Sequence, residues 1–360
     1  MFRRGGQVAL APSCACLLAL ASPGTKGPAG WSMGRLRSLT MRPVVGLDDD
    51  GRGPRPASGT VSGISSSGVL AILSERGGFV ARPMPTITLS SGDEIPVLGQ
   101  GTWHLAEIPA RRHLEIAALR RGLDLGMNLI DTAEMYADGQ AEILVGEAIA
   151  GRRDKVFLVS KVLPHHATRE GTVRACQDSL RRLNTDWIDL YLLHWRGSVP
   201  LPETVNAFLG LQTAGLIRNW GVSNFDVPDL QELISLPGGP DVGTDQVLYN
   251  LSRRGPEFEL FPICRELGIP IMAYSPIEQG RILGNQVLRD IAARHDASPV
   301  QVALAWVLRL DGICAIPRSS KPEHAYENRA ALEIRLDRDD LAVLDQEFPP
   351  PLHSRPLEML

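Results

Sequence analysis

Short apolar runs recur along residues 84–350, and segments with helical periodicity separate them. Ile116, Leu119 and Leu123 illustrate the helical spacing, which predicts one buried face on each helix. The runs predicted to be strands are 97–102, 128–133, 156–162, 188–194, 219–223, 244–250, 270–275 and 312–317. The predicted helices are 110–125, 140–150, 170–183, 203–214, 227–235, 257–267, 284–295, 298–309, 322–332 and 338–347.

Regular alternation of strands and helices predicts an α/β protein with a parallel sheet. Eight such units in about 265 residues match the size of a (β/α)8 TIM barrel. A doubly wound open sheet would carry a G-x-G-x-x-G motif after an early strand, and none of the predicted strands is followed by one. We therefore predict a TIM barrel with an N-terminal β-hairpin, 86–89 and 94–97, and an extra C-terminal helix, 338–347.

Residues 1–83 differ in composition from the rest of the chain. They hold ten Lys and Arg against four Asp and Glu, a net charge of +6, so the overall −4 leaves −10 for the remainder. Since the stretch 51–66 is too rich in Gly, Ser and Pro to bury apolar surface, we predict a disordered extension. Other interpretations are a signal peptide, a transit peptide, or a true start at Met84. The predicted domains are this extension, the barrel over 84–350, and a short tail over 351–360.

Several protein classes are disfavoured by composition. Basic residues are interspersed with acids, so we expect no nucleic-acid partner. The five cysteines lack the spacing of a disulfide framework or a metal site, and Cys176, Cys264 and Cys314 are predicted to be buried hydrophobes. No apolar run reaches the length of roughly 18 residues that a membrane span needs. We expect a cytoplasmic monomer that acts on a small molecule.

Polar side chains stand where three consecutive predicted strands end. Asp131, Lys161 and His194 belong to the second, third and fourth strands, and Tyr136 follows in the loop after the second. The C-terminal ends of barrel strands meet on one face, which is where barrel enzymes hold their catalytic groups. We therefore expect these four side chains to converge.

An acid, a phenol, an amine and an imidazole suit proton donation to a carbonyl oxygen. The ammonium of Lys161 is expected to lower the pKa of Tyr136, and Asp131 to keep Lys161 charged. His194 would orient the carbonyl oxygen or help to relay the proton. Because no nucleophilic Ser or Cys constellation accompanies them, a bound hydride donor is the natural complement. Taken singly, each residue also suits a purely structural role.

These motifs resemble those of the aldo-keto reductases, and the resemblance covers nearly all of residues 85–350. Gly126–Tyr136, Ser160-Lys161 and Leu193-His194 resemble the stretches that carry the family's catalytic residues. The resemblance implies an NAD(P)H-dependent carbonyl reductase with Asp131, Tyr136, Lys161 and His194 as its catalytic residues.

The resemblance also implies a nicotinamide cofactor, with NADPH as first choice and NADH as a second possibility. Ser223, Asn224 and Gln246 would bind the carboxamide, and Tyr274 would stack on the nicotinamide ring. Arg318 supports NADPH by its expected contact with the 2′-phosphate. The full implied set is Gly101, Thr102, Ser223, Asn224, Gln246, Tyr274, Ser275, Ile277, Arg318, Ser319, His324, Glu327 and Asn328.

For the substrate, Trp103 and Trp195 are expected to form an apolar mouth. The segments that would elaborate it are short, which favours an open site for small aldehydes and ketones, including dicarbonyls. Two other functions stay open: a Schiff-base aldolase in which Lys161 attacks a carbonyl, and a cofactor-binding subunit without catalytic activity.

Overall fold

The computed structural model describes residues 83–360. The predicted extension, up to residue 82, lies outside the described residues. The hairpin is present as predicted, with β1 (Thr86–Thr88) antiparallel to β2 (Glu94–Pro96).

Eight parallel strands follow, each hydrogen-bonded to its neighbour in chain order. They are β3 (Gln100–Gly101), β4 (Leu129–Asp131), β5 (Phe157–Val162), β6 (Ile188–Leu193), β7 (Ile217–Ser223), β8 (Asp245–Leu248), β9 (Ile271–Tyr274) and β10 (Ile313–Ala315). Isolated bridges join Leu98 to Ala315 and Gly101 to Arg318, so the first and last strands meet. The barrel prediction is confirmed. β3 is shorter than predicted because its contact with β10 consists of these separate bridges.

Ten α-helices accompany the strands over the described residues. They are α1 (Arg112–Asp124), α2 (Gln140–Ile149), α3 (Arg169–Leu183), α4 (Leu201–Thr213), α5 (Val227–Ser235), α6 (Leu260–Leu267), α7 (Gln286–Arg294), α8 (Pro299–Val307), α9 (Pro322–Ala330) and α10 (Arg338–Glu347). α4 begins two residues earlier than predicted, since Pro202 fits the first turn, where no intrahelical N–H is needed. α6 begins three residues later than predicted, after a 3-10 turn over Gly255–Glu257.

The barrel interior is apolar at one end and polar at the other. Leu89 and Ile95 of the hairpin region pack in one buried cluster with inward-facing strand residues such as Leu129 and Val159. Side chains alternate along a strand, so the next inward position after Leu129 is Asp131 and the next after Val159 is Lys161. The hairpin therefore closes the N-terminal end of the barrel, and the polar residues lie at the other end.

The predicted buried cysteines are confirmed: Cys176, Cys264 and Cys314 are each at most 1% exposed. Within residues 83–360, no helix is long and apolar enough to cross a membrane.

Candidate active site

Lys161 lies at the centre of the polar end of the barrel and is fully buried. Its Nζ donates to Asp131 Oδ2 at 2.8 Å, to the Thr132 carbonyl oxygen at 2.9 Å and to the Tyr136 hydroxyl at 3.2 Å. An ammonium has three N–H donors, and each of these contacts uses one. Because the Tyr136 oxygen accepts a hydrogen bond from Lys161, its own proton is directed to a different acceptor.

Asp131 is held from two sides of the barrel. Its Oδ2 pairs with Lys161 of the adjacent strand, and its Oδ1 accepts from Gln246 Nε2 at 2.8 Å. Gln246 lies in β8, across the barrel interior. Both carboxylate oxygens therefore have a donor, as a buried charge requires.

The expected lowering of the pKa of Tyr136 is wrong. Burial, with a further contribution from the Asp131 carboxylate, raises the pKa of Tyr136 well above its ordinary value of 10.0. Burial also lowers the pKa of Lys161, although its pairing with Asp131 opposes this effect. The sequence argument considered only the attraction between ammonium and phenolate, whereas desolvation disfavours the charged form of each group. The phenol is therefore protonated at neutral pH.

His194 lies beside Tyr136, with ring centroids 5.8 Å apart in an edge-to-face arrangement. Burial and the nearby charge of Lys161 lower its pKa well below 6.5, so the imidazole is neutral. A neutral imidazole has one donor and one acceptor nitrogen. Its Nδ1 is buried without a hydrogen-bond partner among the described residues.

A cavity of about 820 Å³ opens at this end of the barrel. Asp131, Tyr136 and His194 line it, and Trp103 and Trp195 form part of its apolar wall as expected. The predicted cofactor residues that line the same cavity are Gly101, Thr102, Ser223, Asn224, Gln246, Tyr274, Ser275, Ile277, Arg318, His324, Glu327 and Asn328.

An amide and two hydroxyls form a hydrogen-bonded chain along one wall. Asn224 Nδ2 donates to Ser223 Oγ at 3.0 Å and to the His194 carbonyl oxygen at 3.1 Å, while Asn224 Oδ1 accepts from the Tyr274 hydroxyl at 2.9 Å. Ser223 Oγ donates in turn to the Gln246 carbonyl oxygen at 2.8 Å. These bonds fix the Asn224 amide although its backbone has a φ of 59°, a conformation that Asn tolerates better than most residues.

Arg318, His324 and Glu327 also line the cavity. Arg318 lies next to Gly101 at the seam of the barrel, and its Nη1 donates to the His104 carbonyl oxygen at 3.3 Å. His324 lies in the first turn of α9. Ser319 was expected to contact the cofactor, but it does not line the cavity. It is 1% exposed, and its Oγ accepts from Asn328 Nδ2 at 3.0 Å. Ser320, the next residue, lines the cavity instead.

The sequence interpretation missed part of the wall. Met135 lines the cavity beside Tyr136, and Met359 and Leu360 do so from the tail. An ion pair between Arg253 and Glu358, 2.5 Å between Nη1 and Oε1, holds the tail near this point. Met135 was foreseeable from its place in the loop, but no local pattern in the sequence shows where the tail folds back.

Comparisons with known proteins identify the family of this chain. The model of the aldo/keto reductase family matches residues 97–347. The chain is 51% identical over 276 residues to the methylglyoxal reductase YeaE of Escherichia coli K12, covering 75% of this chain and 97% of that protein. It is 34% identical over 262 residues to the glyoxal reductase of Bacillus subtilis, covering 72% and 91%. A solved aldo/keto reductase from Klebsiella pneumoniae, in complex with NADP and acetate, superposes with a TM-score of 0.75 at 46% identity, covering 77% of this chain and all of that one. The chain belongs to the aldo/keto reductase family.

Proposed function

We propose that this protein is an NADPH-dependent oxidoreductase that reduces small aldehydes and ketones to alcohols, with Tyr136 as the general acid. The observation that carries the proposal is the contact between Lys161 Nζ and the Tyr136 hydroxyl, 3.2 Å long, beside a cavity that Tyr136 lines. Family membership supplies the class of reaction.

Tyr136 gives its proton to the oxygen of the carbonyl. That oxygen becomes alkoxide-like as the carbon is reduced, and an alkoxide is far more basic than a phenolate. This difference in basicity favours the transfer, and the raised pKa of Tyr136 reduces the difference. Lys161 then stabilises the phenolate that remains, since its ammonium already touches the hydroxyl oxygen. Asp131 keeps this ammonium charged and in place against the effect of burial.

His194 orients the carbonyl. Being neutral, its imidazole offers a single N–H, and the tautomer with the proton on the nitrogen facing the cavity donates to the same oxygen that Tyr136 protonates. A neutral imidazole also adds no charge next to the ammonium of Lys161. The charge of that ammonium is the second cause, after burial, of the lowered pKa of His194.

The donors and acceptors of the cavity fit a nicotinamide dinucleotide. Gln246, Ser223 and Asn224 contribute amide and hydroxyl groups that suit a carboxamide, and Tyr274, which lines the same cavity, offers an aromatic ring. Arg318, which lines the same cavity, suits a phosphate. When bound, NADPH supplies the hydride for the carbonyl carbon. The relatives solved with NADP and with NADPH support this assignment.

We propose small aldehydes and ketones, including dicarbonyls, as substrates. Trp103, Trp195, Met135 and Met359 line the apolar part of the wall. Relatives that are named as methylglyoxal and glyoxal reductases support this size class.

The Schiff-base aldolase is disfavoured by the surroundings of Lys161. Its amine is buried, paired with a carboxylate and engaged in three hydrogen bonds, which leaves it no lone pair for attack on a carbonyl. Borohydride treatment in the presence of an aldehyde should therefore leave Lys161 unmodified.

The proposal is tested with purified protein, NADPH or NADH, and a panel of small aldehydes, ketones and dicarbonyls. We expect each turnover to consume one reduced nicotinamide, with NADPH used at lower concentration than NADH. Binding of NADPH without turnover of any compound would favour a subunit without catalytic activity. A borohydride-stable adduct on Lys161 would establish the aldolase instead.

A further inference from the structure

The loop that carries Tyr136 has a strained backbone. Directly after Tyr136, Ala137 and Asp138 have φ values of 49° and 52°, and Gly139 has a φ of 83°. Left-handed conformations at residues other than Gly raise the free energy of a loop, and they persist only where neighbouring structure holds them. The position of the Tyr136 hydroxyl therefore depends on contacts outside the loop.

Glu134, two residues before Tyr136, makes such contacts with the segment that follows the Lys161 strand. Its Oε1 accepts from the Leu163 backbone N–H at 2.6 Å and faces His166 Nδ1 at 3.0 Å. Its own backbone N–H donates to the Lys161 carbonyl oxygen at 3.4 Å. The Glu134 side chain is 8% exposed, so its bond with Leu163 is largely sheltered from water, whereas the His166 ring is 45% exposed.

Both the backbone and the side chain of Glu134 thus join the Tyr136 loop to the strand that holds Lys161. The strand ladder between β4 and β5 ends at Asp131 paired with Val159, while Thr132 N still donates to the Val159 carbonyl oxygen. Beyond the end of this ladder, the carboxylate of Glu134 accepts from the Leu163 N–H, as a backbone carbonyl oxygen would in a continuing sheet. This contact extends the pairing of the two segments past the point where the sheet stops.

We infer that Glu134 is a positioning residue that sets the distance between the Tyr136 hydroxyl and Lys161 Nζ. The inference rests on the proposed role of Tyr136 as the general acid. Glu134 touches neither substrate nor cofactor in this account: it acts through the loop, and a shift of the phenol away from Lys161 slows proton donation. A misplacement of about 1 Å in a catalytic group lowers a rate on the order of 10²-fold.

The test compares Glu134→Ala, Glu134→Gln and Glu134→Asp with the wild-type protein in steady-state reduction of an aldehyde. For Glu134→Ala we expect kcat to fall about 10- to 100-fold, with KM for the aldehyde and the Kd of NADPH almost unchanged. The solvent deuterium isotope effect on kcat should rise, because proton donation becomes slower relative to the other steps. Glu134→Gln keeps an oxygen acceptor for Leu163 N–H and should retain most of the activity.

Glu134→Asp keeps the charge but is one methylene shorter, so it should lose kcat as Glu134→Ala does. If Glu134→Ala does not fold, kcat and the solvent isotope effect are measured on Glu134→Asp instead. His166→Ala leaves the Leu163 bond intact and should change kcat less than about fivefold, since its ring is largely solvated. Glu147→Ala, which removes an exposed ion pair with Arg112, is the matched control and should behave as wild type.

Equal losses in Glu134→Gln and Glu134→Ala would overturn the inference, as would a loss in Glu134→Ala with an unchanged isotope effect or weakened NADPH binding. Its failure is separable from failure of the proposed function. If the wild type is active, Tyr136→Phe is inactive and Glu134→Ala is as active as wild type, then only the positioning role is wrong. If Tyr136→Phe is fully active, then the role of Tyr136 itself is wrong.

Discussion

The buried ion pair between Lys161 and Asp131 allows stability and catalysis to be separated. The side chains of Lys161 and Asp131 are 0% and 3% exposed, with 2.8 Å between Nζ and Oδ2. In Lys161→Met the carboxylate keeps only the hydrogen bond from Gln246, so an uncompensated charge remains in the barrel interior. In the double variant Lys161→Met/Asp131→Asn that charge is also removed.

Breaking a buried pair from one side lowers the free energy of unfolding by about 3–5 kcal/mol, whereas removing both charges is close to neutral. For a domain of this size the single change corresponds to a fall in Tm of roughly 10 °C. We expect the double variant to recover at least half of this loss, about 1.5–2.5 kcal/mol, so that the losses of the two single variants do not add. Turnover should stay low in both, because neither retains an ammonium next to Tyr136.

The assay is thermal unfolding of the wild type, both single variants and the double variant, together with NADPH consumption in the presence of an aldehyde. If the losses in stability of the single variants simply add, the two groups are not coupled. If Lys161→Met turns over at a rate near wild type, the ammonium does not assist Tyr136. Either result would refute the reasoning.

Three further predictions concern pH, cofactor choice and barrel closure. Since the pKa of His194 is lowered well below 6.5, kcat at saturating substrates should be flat from about pH 6 to 8. At higher pH kcat should fall as Lys161, whose pKa lies below 10.5, loses its proton. A kcat that halves near pH 6.5 would contradict the expectation for His194. Arg318→Ala should raise KM for NADPH far more than KM for NADH, and equal increases would exclude a contact with the 2′-phosphate. Gly101→Ala should lower the free energy of unfolding in urea by about 1–3 kcal/mol, because the new Cβ would lie 2.7 Å from the Ile316 carbonyl oxygen. Gly255→Ala is the control, since a Cβ at Gly255 would have no neighbour within 4 Å. Equal stability of the two variants would refute the argument.

Much of the barrel could be predicted because its signals are local. Apolar runs and helical spacing indicated the eight strands, and the position of Asp131 and Lys161 at strand ends indicated that they would meet. The boundaries of α4 and α6 were less accurate, since Pro202 and the 3-10 turn before Leu260 determine them and a periodicity argument does not weigh such local effects.

The features that the sequence could not disclose depend on burial and on distant chain segments. The pKa of Tyr136 is raised because burial and the Asp131 carboxylate both disfavour the phenolate, and the extent of burial is known only from the fold. Met359 reaches the cavity through a tail whose course is fixed by tertiary contacts such as that between Arg253 and Glu358. Ser319 and Ser320 are indistinguishable in a motif, and only the backbone direction decides which of them lines the cavity.

The most direct test of the proposed chemistry is the Tyr136→Phe variant, which removes one oxygen atom and leaves the ring. Its rate of NADPH oxidation with a small aldehyde should fall by about 10²- to 10⁴-fold, the usual contribution of a general acid. The Kd of NADPH, measured by fluorescence titration, should be nearly unchanged. A variant that binds NADPH normally and reduces aldehydes at a rate close to wild type would contradict the assignment of Tyr136 as the proton donor.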